Sequence, residues 1–167
     1  MELGKAAEAK IKAWLDRPNK GYCFDRINDQ MTGFYGSSNI CDFTLFKSPY
    51  MYYIESKATY HDRFDFNRIT DYQRSHLLEK CKISNVIGCV IVLFATYKRA
   101  FIFNIQHIED AEKSGIHSIN IKYIDKWNLP YYEIPTISNS RKKLLDYSGD
   151  FVVPNYVEEG DNDEKMD

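Results

Sequence analysis

The sequence predicts an α/β domain with a mixed central β-sheet and flanking helices. Three features predict it: an amphipathic N-terminal segment, two β-rich segments split by a short turn, and a nearly unbroken apolar run from Val86 to Phe94. In the first, Glu2 to Asp16, residues Leu3, Ala7, Ile11, Trp14 and Leu15 share one face at the 3.6-residue period, and Pro18 and Gly21 end the helix. Tyr22 to Asn39 lacks a period and reads as a loop enclosing a short strand. Cys41 to Phe46 and Met51 to Ala58 are rich in β-branched and aromatic residues and form a hairpin across a four-residue turn, Lys47 to Tyr50. A second helix is expected from Thr70 to Lys82, with Thr70 as N-cap. The apolar run has the pattern of a strand covered on both faces. Lys98 and Arg99 then turn into a strand, Ala100 to Ile105. Short elements follow: a helix at His107 to Lys113, a strand at Ser118 to Ile124 and a helix at Arg141 to Tyr147.

A chain of 167 residues, 44% of them hydrophobic, can bury a core without disulfide or metal staples. One domain is expected over residues 1–150, followed by an acidic, disordered tail at 151–167. The net charge of −2 conceals this division. From Ser148 onward there are seven acidic residues and one lysine, leaving 21 basic and 17 acidic side chains before it. A mildly basic body is compatible with phosphate binding. No apolar stretch is long enough to span a membrane, and the N-terminus lacks a signal-peptide layout, so cytoplasmic residence is the expectation. Cys23, Cys41, Cys81 and Cys89 lack metal-ligand spacing, and three of them read as reduced core thiols. There is no GxGxxG, P-loop or GxSxG motif, which argues against a small-molecule cofactor.

The chemistry is concentrated in the hairpin. Opposed positions of an antiparallel pair share a constant sum, and a turn at Lys47 to Tyr50 makes Asp42 and Glu55 cross-strand neighbours. Two carboxylates so opposed repel among apolar strands, and a divalent cation relieves the conflict. Glu55 and Lys57 project from the same face, so the lysine stands beside the proposed metal. A solvated salt bridge on a hairpin face would have the same spacing. Glu8 flanks the apolar face of the first helix, either to reach the sheet edge or simply as a solvated charge. Gln73 lies on the inward side of the second helix and needs partners, either a metal-bound water or a capping or sheet-edge hydrogen bond.

The arrangement of Asp42, Glu55 and Lys57 resembles the PD-(D/E)xK nuclease superfamily, whose core is restriction-endonuclease-like, and within it the RecU family of Holliday junction resolvases. The similar stretches are Gly4 to Glu8, Cys41 to Phe43, Ile54 to Thr59, Gln73 to Leu77, Gly88 to Phe94 and Lys142 to Tyr147. The resemblance implies that Asp42 and Glu55 ligate Mg²⁺, with Mn²⁺ a possible substitute. It implies that Lys57 assists the hydrolytic water and Gln73 supports the site. It also implies a homodimer that sets two sites on the two strands of a four-way DNA junction. A stalk precedes the metal-binding aspartate in that family, and only Phe24 to Ile40 are available for it here. The shortened stalk bears on junction selectivity, so nucleases for other branched or foreign DNA, including restriction-type enzymes, and a non-catalytic junction-binding protein stand as alternatives. DNA contacts are expected from Arg63, Arg68 and Arg74 near the site and from Lys98 and Arg99 in their turn, with Tyr35, Tyr52 and Tyr53 available to stack on exposed bases.

Overall fold

The computed structural model describes residues 2–18, 20–27, 39–137 and 144–158. Helix α1 (Leu3–Leu15) buries Ala7, Ile11, Trp14 and Leu15, the face its period demands. Strand β1 (Cys23–Arg26) pairs antiparallel with β2 (Phe43–Lys47), which forms the hairpin with β3 (Tyr50–Thr59). Lys47 pairs with Tyr50, so the turn between the strands is two residues rather than four, and the register is the one expected. A short strand, β4 (Arg63–Asp65), and a single 3-10 turn lead into α2 (Asp71–Cys81). Strand β5 (Val86–Phe94) returns parallel to β3 and is followed by antiparallel β6 (Arg99–Asn104) and helix α3 (Ile105–Lys113). The remaining strands are β7 (Ser118–Asn120), β8 (Tyr132–Glu133), β9 (Thr136–Ile137) and β10 (Asp146–Tyr147).

The six-stranded sheet runs β1-β2-β3-β5-β6-β8, with two small two-stranded sheets, β10-β9 and β4-β7, beside it. This is the mixed sheet with flanking helices expected for the fold class. Its strands β3 and β5 alternate between two cores. On one face Phe43, Leu45, Ile54, Ile91 and Ile102 pack with α1. On the other, Val90, Val92, Phe101 and Phe103 pack with Leu77 of α2 and Ile105 and Ile108 of α3. Gly88 lets both helices approach β5 closely. A Cβ there would meet Ile105 Cγ2 at 3.0 Å, Leu77 Cβ at 3.2 Å and Cys81 Sγ at 3.3 Å. Helix α2 buries only Leu77 completely, so this close approach does much to fix where its polar inward side chains stand.

The C-terminal third departs from expectation. The strand expected at Ser118 to Ile124 stops at Asn120, whose side chain accepts from Lys122 N–H at 2.9 Å and starts helical turns over Ile121–Trp127. Of the helix expected at Arg141 to Tyr147, residues 141–143 lie outside the described residues, and Asp146–Tyr147 form a strand against Thr136–Ile137. Tertiary contacts override helix propensity there: Tyr147 meets Trp14 edge-on with centroids 5.8 Å apart, and Asp146 pairs with Lys10 at 2.6 Å. The packed body also extends past residue 150. Phe151 and Val153 are buried, and Asn104 Nδ2 donates to Pro154 O at 3.2 Å. Cys41 and Cys89 are buried free thiols, Cys81 is half-buried and Cys23 is exposed. Among the described residues no helix is long and apolar enough to cross a membrane.

Candidate active site

Alternation along β3 points Glu55 and Lys57 to the α2 side of the sheet, opposite Val90 and Val92 of β5. The paired register of β2 and β3 ends at Phe43 with Ile54. Asp42 N–H donates to Ile54 O at 3.0 Å, one position out of that register. A local offset at the strand start thus replaces the expected cross-strand pairing of Asp42 with Glu55. The Asp42 charge still acts on Glu55. Asp42 itself is anchored: Oδ2 accepts from the Ser56 backbone N–H at 2.7 Å. Its carbonyl accepts from Ile27 N–H at 2.8 Å, tying the strand start to β1.

Glu55 is 2% exposed. Its Oε1 lies 2.7 Å from Lys57 Nζ and accepts from Gln73 Nε2 at 2.7 Å. Its Oε2 is buried and has no hydrogen-bond partner. Burial, reinforced by the Asp42 charge, pushes the Glu55 carboxyl from 4.5 up to about 7 against the pull of Lys57 and Gln73. Burial likewise pushes the neighbouring Cys41 thiol up to about 12, with Glu55 adding to it. Negative charge at this corner is therefore under-compensated by the protein itself. A buried carboxylate oxygen without a partner, near a second carboxylate, fits a hard divalent cation such as Mg²⁺ or Mn²⁺. Among the described residues no group of three or more His, Cys, Asp or Glu side chains could hold a metal, so water and substrate phosphate would complete the coordination.

Gln73 makes the capping bond and, in addition, bonds to two side chains of β3. The Thr70 hydroxyl accepts from Gln73 N–H and Gln73 Oε1 accepts from Thr70 N–H, each at 3.2 Å, a capping box that starts α2. The same Oε1 accepts from Lys57 Nζ at 3.1 Å while Nε2 holds Glu55. The helix cap thereby locks the amide that bridges the two charged groups. Thr70 is a contributor that was legible only as a cap; the T-x-x-Q spacing, Thr70 to Gln73, was the available signal.

Residues 23–149 match the family model described as RecU: Recombination protein U. The chain belongs to the RecU family. No curated protein matches it. Among solved structures, Hjc of Archaeoglobus fulgidus, a Holliday junction resolvase from an archaeal hyperthermophile, superposes with a TM-score of 0.46 at 14% identity, over 62% of this chain and 78% of its own. The RecU match spans Asp42, Glu55, Lys57 and Gln73 and begins after α1, so Glu8 lies outside it.

The other expected residues separate into two groups. Arg63 and Arg68 line an open cleft of ≈ 620 Å³ together with Lys57, bounded by the start of α1 and the β3–β4 loop. Arg68 donates to Ala58 O at 2.7 Å and lies over the Phe64 ring, while exposed Arg63 pairs with Asp65 at 2.6 Å. Away from that cleft, Glu8 pairs with Arg26 of β1 at 2.6 Å. Arg74 turns to α3, meeting Glu112 and, at 3.9 Å, Glu109. Arg99 is held doubly by Glu133 at 2.6 and 2.8 Å, and Lys98 occupies a left-handed turn beside it. Of the tyrosines, Tyr52 packs on Phe151, Tyr53 lies under Lys80, and Tyr35 falls outside the described residues. The cleft also contains Tyr60 and His61, which sequence spacing did not single out.

Proposed function

We propose that this RecU-family protein is a Mg²⁺-dependent, structure-selective endonuclease that hydrolyses phosphodiester bonds of four-way DNA junctions in recombination and repair. Mn²⁺ is a workable substitute, and the working unit is a cytoplasmic homodimer, because two symmetric cuts call for two related sites. The observation that carries the reading is the buried Glu55, with one oxygen bound to Lys57 and Gln73 and the other without a partner, near Asp42. Asp42 and Glu55 would hold the metal, which when bound polarises the phosphate and favours deprotonation of an attacking water. The chain's own groups do the rest. Ser56 N–H keeps the Asp42 carboxylate aimed, and Gln73 fixes the Lys57 ammonium. Two of that ammonium's three donors go to Glu55 and Gln73, leaving the third for a phosphate oxygen or the water. The nuclease domain on this reading is residues 1–150, with Phe151 and Val153 packed against it.

A second reading, a nuclease for other branched or foreign DNA, is favoured by the short link from Arg26 to Phe43, which limits any stalk. One experiment separates them: a labelled four-way junction and a linear duplex, each with Mg²⁺ and with EDTA, cut by the wild type and by Asp42→Asn. Paired symmetric nicks on the junction alone, abolished by EDTA and by the substitution, are expected. Cleavage of both substrates would favour the second reading. Tight junction binding without cleavage by the wild type would leave a binding protein and overturn the mechanism.

A further inference from the structure

The loop that follows Lys57 presents an aromatic ring to solvent from a backbone pinned on several sides. Tyr60 is 64% exposed. Its carbonyl accepts from Thr96 Oγ1 at 2.5 Å, and the next N–H, of His61, donates to Thr59 Oγ1 at 3.1 Å. One residue on, Asp62 O accepts from Ile121 N–H at 2.9 Å and its carboxylate pairs with Lys122 at 3.0 Å. The loop is thus clamped between the end of β5 and the segment after β7. Among the described residues the Tyr60 ring has no aromatic or cation–π partner, and it stays exposed. A rigid loop bearing an exposed aromatic group loses little entropy on meeting a partner.

The position of the ring indicates what that partner is. Tyr60 lines the same cleft as Lys57, Arg63 and Arg68, where cations suit a phosphate backbone. Two residues, Ala58 and Thr59, separate it from Lys57, so three residue steps span up to about 10 Å. That is about three stacked base steps. A ring at this distance faces bases next to the phosphate that Lys57 addresses, and stacking requires a base that has left its own stack. Bases inside continuous duplex are already stacked and gain nothing from the ring.

We propose that Tyr60 stacks on an unstacked nucleobase flanking the scissile phosphate, and so helps the site select branched or distorted DNA over continuous duplex. The proposal rests on the nuclease reading above for its substrate, and its test is independent of cleavage. Affinities for a four-way junction and a linear duplex are measured in EDTA with Asp42→Asn protein, carrying in addition Tyr60→Ala, Tyr60→Phe or Tyr123→Ala. Tyr123 is a control of matched exposure, 63%, lining a different cleft. Tyr60→Ala is expected to weaken junction binding roughly 5- to 150-fold, the worth of stacking one base, and to leave duplex affinity within about twofold. Tyr60→Phe keeps the ring and should retain junction affinity, as should Tyr123→Ala. Equal loss on both DNAs, failure of Phe to substitute, or unchanged junction affinity in Tyr60→Ala would overturn it. Failure of the nuclease reading would appear elsewhere, as absence of nicking by the wild type in Mg²⁺.

Discussion

Gln73 and Arg74 are neighbours on α2 and face two different charged clusters. Gln73 reaches β3, where it holds Glu55 and Lys57. Arg74 reaches α3, where its guanidinium meets Glu112 and Glu109 and donates to Phe66 O at 2.9 Å. Both clusters are largely screened from water and both join a helix to a neighbouring element. They differ in sign balance. At α3 the Arg74 guanidinium is set between two carboxylates, and Lys113 joins Glu109 at 3.5 Å from the exposed side. At β3 the single cation shares its carboxylate with a neutral amide, a second carboxylate acts on it, and one buried oxygen is left over. Both clusters leave buried polar atoms without hydrogen-bond partners, Arg74 Nε in the first and Glu55 Oε2 in the second. Charge and burial alone do not distinguish a site from a strut. The difference is a carboxyl pushed up by burial and by a second carboxylate, beside an open cleft.

The largest effect that separates the two clusters is on cleavage. Glu55→Gln removes the charge proposed to hold the metal while keeping the shape, and junction cleavage should fall on the order of 10³-fold with binding retained. Single-turnover cleavage with a parallel gel-shift measurement checks it; comparable losses in both assays would place Glu55 in binding instead. Arg74→Ala should behave oppositely. It leaves the partly buried Glu112 without its close cation, while Glu109 keeps Lys113, costing about 3 kcal/mol in urea unfolding. Its cleavage rate per folded molecule should be near that of the wild type. A large rate loss in folded Arg74→Ala protein would join the clusters into one functional unit.

How much of this could be read from residue spacing follows the same division. Period and register are local properties, so the buried face of α1, the hairpin register from Phe43 with Ile54 to Lys47 with Tyr50 and the continuous β5 strand were legible. So was the inward aim of Gln73, because helix geometry sets it. The fate of Arg74 and Arg99 was not, since their partners lie on α3 and β8, far along the chain. Strands β8, β9 and β10 are two residues each, too short to carry a period, and they form because the sheet edge, Trp14 and Lys10 receive them. Acidic composition did not reveal that Phe151 and Val153 find the α1 core, because their partners lie far back along the chain. The depth of Glu55 also depended on α2 closing over β3, a contact that spacing cannot supply.

A smaller effect sharpens the claim of unmet charge. The Glu55 carboxyl titrates at about 7 in the folded chain against 4.5 ordinarily. Between those values the folded state holds a proton that the unfolded state has released, so its contribution to stability is present below pH 4.5 and is lost as pH rises through 7. In EDTA the wild type should therefore lose stability from about pH 5 to pH 8, by 3 kcal/mol at most on the order-of-magnitude scale of one pKa unit. Glu55→Gln should flatten this slope, while Arg74→Ala should lower the whole curve and keep its shape. Urea midpoints at four or five pH values decide it, and a wild-type curve that rises across this window would mean that Glu55 is already compensated.

The smallest effect distinguishes the arginines that face the cleft from those held inside. Arg63 has an exposed side chain whose partner, Asp65, is itself exposed, and such pairs are worth little. Exchanging Asp65 for a phosphate is therefore nearly free, and Arg63→Ala should reduce the salt dependence of junction binding by about one unit of slope. Arg99 is bound through two nitrogens to both oxygens of Glu133, and withdrawing it to meet a phosphate would forfeit a bidentate pair. Arg99→Ala should leave the slope unchanged. Equal slopes for the two variants would mean that DNA reaches both clefts, which would extend the contact surface from Lys57 around the sheet edge to β8.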